Sequence, residues 1–594
     1  MGRRFMQLAA VVLAACLSVP QAGAVNVNQN GQVMVRVGLA SSSSHVPTGE
    51  LESAHLENST GYGSGYRFGI YDGSRNFVEL GRTDADITKV AVLKTQNLYY
   101  GYVPALDKDT YSAAVSGSNV LVGCYHVRIP GSFATYEEAA AVAAASGGFV
   151  AWINGEYQVR VGACASAEEA QAIQGALGIG DIVGTSSYGM SVVKTGTNQI
   201  LFQYDGGESG ALAVQPDVTG ADETRTWFAG FKYRGGFQYF RRNGGNLSVV
   251  NVVELEDYVN GVICYEMGRG WPLEALKAQA LCARTYVLKN LGKHESHGFD
   301  ICTTASCQVY HGMGSQKEDY GPSEVSMQAV AETAGRVVQY NGRLAETFYS
   351  SSFGGASEDA KSVWGTDTVL EHPYLCGVED PYEADLDYAN EFSPWTKSYT
   401  SAQLTQQLQK SGLGVGTSVE SLELTYSNLG NVIQATIHWA NGQNSTISAS
   451  NIRSRFDVRS IRFTVNGAGT GDTAAVPSSE IAVNETSVLG EINGKYVISA
   501  AGSVSQLEGK AHAISGDGTI SELNGNIGSG GNGPQPQPGV GTVTVSSSTY
   551  TFNGGGWGHQ VGMSQYGANA MARRGFTGEQ IVTFYFPGVQ VTHY

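Results

Sequence analysis

Apolar and polar residues alternate in short runs along much of the chain. Between residues 33 and 121 these runs, such as VMVRVGL, are broken by glycine and asparagine, a pattern that predicts antiparallel strands. An internal repeat follows. YHVRIPGSFATYEEAAA from Tyr125 is echoed by YQVRVGACASAEEAQA from Tyr157. Each unit predicts a strand, a turn and an alanine-rich helix. Thr135 or Ser166 opens that helix, with two glutamates in the first turn, as capping and dipole chemistry favour. FVAWI and residues 181–183 supply further strands and complete a small repeated β-α-β unit.

Strand patterns resume from 188 to 253, and then the period changes. Residues 264–286, CYEMGRGWPLEALKAQALCARTY, predict a helix opening at Trp271-Pro272, where a first-turn proline loses no hydrogen bond. Leu273, Leu276, Ala280, Ala283 and Val287 form one stripe, with Leu281 and Leu288 on its flank. Lys277 and Arg284 fall between the two apolar sectors, at or beside the buried face. An isolated buried cation costs roughly several kcal/mol unless paired, so an anionic or polar group must meet each one. Glu266 is the nearest candidate in sequence. It is either half of a structural salt bridge at a helix end or a carboxyl tuned by its surroundings, as glycoside chemistry requires.

Past residue 466 the chain becomes rich in Gly, Ser, Thr and Ala, with a weak β pattern over 480–523. GSGGNGPQPQPGVG, residues 528–541, is a linker, and order returns in the last fifty residues. The fold class is α+β: a β-rich multidomain protein with a helical core region and a small βαβ-repeat module. The expected divisions are a signal peptide at 1–24, a β-rich region at 25–120 and the repeat module at 121–185. A main part at 186–465, an insertion and linker at 466–542 and a C-terminal part at 543–594 follow.

Composition narrows the setting. A length of 594 residues implies two to four domains. A net charge of −17 argues against nucleic acid or another polyanion as partner. The 31 tyrosines on a weakly charged chain suit sugar rings, and equally suit β-rich cores. Arg3 and Arg4 precede a short apolar run ending near Ala22-Gly23-Ala24, the form of a removable secretory signal. The alternative is a lipid anchor on Cys16, since Leu13-Ala14-Ala15-Cys16 resembles a lipobox. No later apolar run is long enough to span a bilayer. Cleavage of the signal leaves seven of the eight cysteines, too few for a disulfide scaffold at this length.

Three further segments carry candidate chemistry. HESHGFDICTTASC places His294, His297, Cys302 and Cys307 in a short span suited to zinc, with His297 the preferred third ligand and His294 the alternate. A Cys302–Cys307 disulfide and free thiols are the competing readings. GGGWGHQVGMSQYGA is glycine-dense, so its backbone can approach a ligand closely; a tight structural turn is the alternative. His559, Gln565 and Tyr566 supply polar contacts there, and Trp557 an aromatic face. SSSFGG and the residue before it offer Tyr349, Ser351 and Ser352, as a substrate-lining loop or as another turn. No G-x-S-x-G elbow supports a Ser-His-Asp hydrolase.

Two resemblances sharpen these readings. The Y-x-V-R repeat resembles SPOR peptidoglycan-binding domains. LEDYVNGVICYEMGRGWPLEALKAQALCARTY, CQVYHG, ETFYSSSFGGASEDAKSVWG and GGGWGHQVGMSQYGANAMARRG resemble, in order, the stage II sporulation protein D and amidase-enhancer family. These blocks and the strands before them span roughly 200–594, interrupted by the insertion. The resemblance makes the 186–465 and 543–594 parts one catalytic domain. The resemblance implies a lytic transglycosylase acting on peptidoglycan strands stripped of stem peptides, with Glu266 as the catalytic acid. It carries over the lysine at Lys277 and the arginine at Arg284, as orienting or substrate-binding groups. It also implies, in some members, zinc held by two cysteines and a histidine. The family usually has glycine at position 560, and a glutamine there is expected to narrow the cleft. The enhancer branch implies a regulatory alternative, with a cell-wall amidase as partner. The chain is thus expected outside the cytoplasm at the cell wall.

Overall fold

The computed structural model describes residues 27–217, 223–315, 321–365, 372–383, 390–468 and 541–594, with three hairpins between 481 and 522. The expected signal peptide, Cys16 and most of the 466–542 insertion lie outside the described residues. The chain divides into two compact units. The first comprises residues 1–269, 283–345 and 591–594, and the second 270–282 and 346–590.

Two sheets dominate the first unit. In a seven-stranded sheet, Met34–Ala40 runs antiparallel to Ser248–Glu254 and parallel to Ile301–Cys302. Tyr66–Tyr71 and Phe77–Arg82 join its other edge through Leu212–Pro216. The strands of the 25–120 region therefore share sheets with strands beyond 186. Alternation explains the register: Val35, Val37 and Leu39 on one face are buried, as are Val249 and Val253 opposite.

The internal repeat folds as predicted locally. Tyr125–Phe133, helix α1 (Tyr136–Ser146), Phe149–Ile153, Glu156–Cys164, helix α2 (Ala167–Leu177) and Asp181–Val183 follow one another. Thr135 and Ser166 accept from the Glu138 and Glu169 amides, and Gly147 and Gly178 close the helices with left-handed backbone. The four strands pair antiparallel, with Asp181–Val183 and Phe149–Ile153 outermost. This module is not free-standing. Phe149–Ile153 runs parallel to Ile200–Asp205, which extends the sheet to ten strands. Leu98, Tyr111 and Val122 share a buried cluster with Phe149.

Helix α3 (Leu255–Glu266) leaves the strand Ser248–Glu254 directly, and Glu254 caps it by accepting from the Glu256 and Asp257 amides. Helix α4 (Leu273–Lys289) begins after Pro272, whose carbonyl accepts from the Ala275 and Leu276 amides. A one-sided apolar stripe understates this helix, because every residue from Ala278 to Leu288 is buried. Helix α5 (Glu324–Glu332) packs on α3.

The second unit holds a four-stranded sheet around Val419–Tyr426 and Val432–Trp439, with Gly541–Val545 at its edge. Thr549–Gly554 pairs with both Trp395–Thr400 and Phe463–Val465. Segments on both sides of the insertion thus close into the same sheets. Helices Gln565–Arg573 and Gly578–Tyr585 end the unit.

Candidate active site and metal centre

Glu266 is the last residue of α3 and is partly exposed. The Val309 amide donates to its Oε1 at 3.1 Å. Val309 belongs to CQVYHG, and that segment is stitched down on both sides. Tyr258 donates to Gln308 Oε1 at 3.0 Å, and Tyr310 donates to Asn251 Oδ1 at 2.8 Å. Gly261 lets the Tyr310 ring lie against α3, since a Cβ there would sit 2.6 Å from it. The tyrosines are fully buried, and burial raises both phenols well above their ordinary range. One carboxylate oxygen is therefore fixed by a rigid backbone donor, while the side chain keeps access to solvent.

Each of the two cations of α4 pairs with a glutamate that the sequence reading did not single out. Arg284 is fully buried, and its Nε and Nη2 span the two oxygens of Glu256 at 2.9 and 2.5 Å. Nη1 donates to the Arg336 carbonyl at 3.1 Å. The arginine joins α4 to the first turn of α3 and the end of α5, a positioning role. Lys277 pairs with Glu274 at 2.7 Å, one turn earlier on the same helix. Glu274 also accepts from the Gly578 amide at 2.7 Å and so docks a C-terminal helix. Sequence reading missed Glu256 and Glu274. The i,i+3 spacing of Glu274 and Lys277 was the available signal; Glu256 and Arg284, 28 apart, offered none.

The SSSFGG and GGGWGHQVGMSQYGA segments pack against each other in the second unit. Tyr349–Ser350 runs parallel to Met563–Ser564, and Ser352 pairs with Trp557. Their glycines serve that packing: a Cβ at Gly354 would meet the Gly555 backbone at 2.5 Å, and one at Gly556 the Ser352 carbonyl at 2.6 Å. The density of glycine thus reflects backbone against backbone. Gln560 does not narrow a cleft. It is buried, has φ +66°, and its Nε2 donates to the Phe353 carbonyl at 2.7 Å. The positive φ is the reason glycine suits this position.

The named polar residues of these segments are largely committed. His559 accepts from the Val561 amide through Nδ1 at 3.1 Å and donates from Nε2 to the Tyr349 carbonyl at 3.0 Å. Burial, with Arg453 nearby, pushes its proton affinity down to about 4, so it is a neutral structural imidazole. Ser352 is buried and hydrogen-bonds Glu383, which also accepts from the Phe353 amide at 2.8 Å and from Ser564 at 3.0 Å. Asp380 beside it is pushed up to about 7 by burial and by Glu383. Neither acid was a sequence candidate. Gln565 is buried and reaches Gln279 at 3.5 Å. Ser351 accepts the Tyr566 amide at 2.9 Å through its carbonyl. Tyr566 is partly exposed, edge-on to Trp271 at 5.1 Å and to Phe392 at 5.6 Å.

In the first unit, Cys302, Cys307 and His294 bring their ligand atoms within 4.8 Å of one another. His294 lies 3.2 Å from Cys307 Sγ. His297, the preferred sequence candidate, instead tilts on the Phe299 ring at 6.1 Å. The turn Glu295–His297 rotates it away, whereas His294 precedes that turn and its amide bonds to the Asp300 carbonyl. The cysteines are free thiols, not a disulfide. Hydrogen bonding from Cys307 and Thr304 lowers the Cys302 thiol to about 5 and raises that of Cys307. Two sulfurs and one imidazole nitrogen fit zinc in ligand type and number, with one position open. Asp300 anchors the loop from a sealed position, bridged by Arg36 at 2.8 Å and Arg75 at 2.7 Å.

A family model described as Stage II sporulation protein matches residues 243–340, which holds α3, α4, the thiol cluster and α5. An uncharacterised protein of Brachyspira hyodysenteriae is 33% identical over 220 residues, 35% of this chain and 55% of that protein. The amidase enhancer of Bacillus subtilis is 28% identical over 340 residues, 57% of this chain and 40% of the enhancer. The stage II sporulation protein D of Bacillus subtilis is 28% identical over 356 residues, 58% of this chain and 76% of that protein. The chain thus spans about half the length of the first two relatives. Residues 243–340, centred on α3 and α4, thus match the stage II sporulation protein family, and longer stretches of the chain are similar to a stage II sporulation protein D and to an amidase enhancer.

Proposed function

We propose that this protein is an extracytoplasmic lytic transglycosylase that cleaves peptidoglycan glycan strands, with Glu266 as its acid and then its base. The observation that carries the reading is the placement of Glu266, backed by the Val309 amide at 3.1 Å and open to solvent. In the first step the protonated carboxyl gives its proton to the oxygen joining N-acetylmuramic acid to N-acetylglucosamine, and the C1–O bond breaks. In the second, the carboxylate removes the proton of the muramic C6 hydroxyl as O6 bonds to C1. A 1,6-anhydro ring forms, no water is consumed, and Glu266 ends protonated as it began. A placed proton-transfer group contributes on the order of 10²–10⁴-fold. The Glu266→Gln variant is expected to bind stripped glycan normally and release fragments at least about 10²-fold more slowly. Unchanged release would remove the proposal.

His294, Cys302 and Cys307 would hold zinc, and its contribution would be to brace the loop that leads into Val309. The resemblance of the Y-x-V-R repeat to SPOR domains supports a role in delivery to denuded strands. The enhancer reading has its own support in the Bacillus subtilis relative of that name. On that reading the chain modulates a cell-wall amidase and Glu266→Gln changes nothing it does.

A further inference from the structure

We propose that the recess beside Trp557 in the second unit is a binding subsite for a sugar that carries a carboxylate. The inference deepens the glycan reading above and rests on it for the choice of saccharide. The recess encloses ≈ 640 Å³ and is lined by Trp557, Arg453, Arg459, Lys397, Asp457 and Glu391 among others. Three cations therefore gather in a chain whose net charge is −17.

Their bonding leaves capacity for an anion. Lys397 is taken up by Asp457 at 2.6 Å. Arg453 gives its Nε to the Arg459 carbonyl at 3.0 Å, and Arg459 gives Nη1 to the Glu391 carbonyl at 3.1 Å. Among the described residues neither guanidinium pairs with a carboxylate, and the terminal nitrogens of Arg453 make no hydrogen bond. Glu391 stands exposed at the rim and engages Arg459 through its backbone oxygen. Burial lowers the proton affinity of Arg453, which is the cost of holding a cation out of water with no counter-charge. A carboxylate offers two oxygens to such a planar fork.

An aromatic wall adjoins these charges. Trp557 is 41% exposed, so part of its ring is open to a ligand, and Arg459 lies over that ring at 5.1 Å. Phe392 braces the indole edge-on at 5.0 Å. A fixed aromatic face beside a guanidinium pair suits a flat, amphipathic ring with an acidic substituent better than a bare anion, which would leave the indole uncovered.

The test compares two probes that differ by one lactyl ether, N-acetylmuramic acid and N-acetylglucosamine, by saturation-transfer NMR titration. The full chain carrying Glu266→Gln is used, so that no turnover intervenes. The acidic sugar is expected to bind about tenfold more tightly. Arg459→Ala should remove that preference while leaving weak binding of both sugars, and Trp557→Phe should weaken both. Equal affinities in the parent, no binding of either sugar, or a preference that survives Arg459→Ala would overturn the subsite. The two proposals separate cleanly. A protein that shows the preference but never cleaves glycan loses the enzyme reading and keeps the subsite. One that cleaves glycan without the preference does the reverse.

Discussion

Arg284 shows how a residue's neighbours decide its role. A buried guanidinium with both Glu256 oxygens, the Thr333 hydroxyl and the Arg336 carbonyl around it is a bracket between helices. Removing one partner of such a pair leaves the other uncompensated. Arg284→Ala is expected to lower unfolding free energy by about 3 kcal/mol in urea denaturation. The loss should be at least as large for Glu256→Gln, which takes the paired carboxylate from a fully buried cation. Asp380 makes a second prediction at this scale. Its folded value near 7 lies above the ordinary 3.8, because burial and Glu383 oppose its charge. The stability it contributes is complete below the unfolded value and is lost as pH rises through about 7. Asp380→Asn should flatten the wild-type stability profile over that window, by about 1.4 kcal/mol per pH unit where the slope is full. Identical pH profiles for the two proteins would refute the assignment. The grouping of Cys302 and Cys307 with a histidine was legible from sequence, because the three lie in one short span, although the histidine is His294 and not the preferred His297. The roles of Glu256, Glu383 and Asp380 were not legible, since they reach their partners only through the tertiary fold.

At the scale of elements, local signals fared well and packing signals less so. The capping residues Thr135 and Ser166, the glycine stops and Pro272 all fix helix ends through neighbouring backbone groups, so the sequence carries them. The burial of α4 on every side is set by what surrounds it, and a periodicity read on one helix does not contain that. The two glycine segments make the same point: they approach one another, not open space. Gln560 tests this. Gln560→Ala keeps the positive φ and loses the bond to Phe353, and should cost about 1–2 kcal/mol in thermal denaturation. Gln560→Gly also loses the bond but relieves the backbone, and should cost about 1 kcal/mol less. The reversed order would show that the positive φ at this position carries no strain. In the thiol loop, metal analysis of purified protein is expected to find one zinc per chain. His294→Ala or Cys307→Ser should abolish it, and His297→Ala should leave it in place.

At the scale of the whole molecule, the divisions drawn from composition do not follow the sheets. Strands from the first hundred residues pair with strands near 190–254, and those on either side of the 466–542 insertion pair with each other. Register across such distances depends on pairing partners that no local window shows. Among the described residues no helix is long and apolar enough to cross a membrane. The repeat module shares its sheet with six further strands of its own unit, so its deletion is expected to unfold more than itself. The central claim is the double duty of one carboxyl group. Mass spectrometry of peptidoglycan strands stripped of stem peptides and incubated with the purified protein tests it most directly. The account predicts new muramic ends in the 1,6-anhydro form, absent when Glu266→Gln is used. Reducing ends, or no cleavage by a folded wild-type protein, would contradict it.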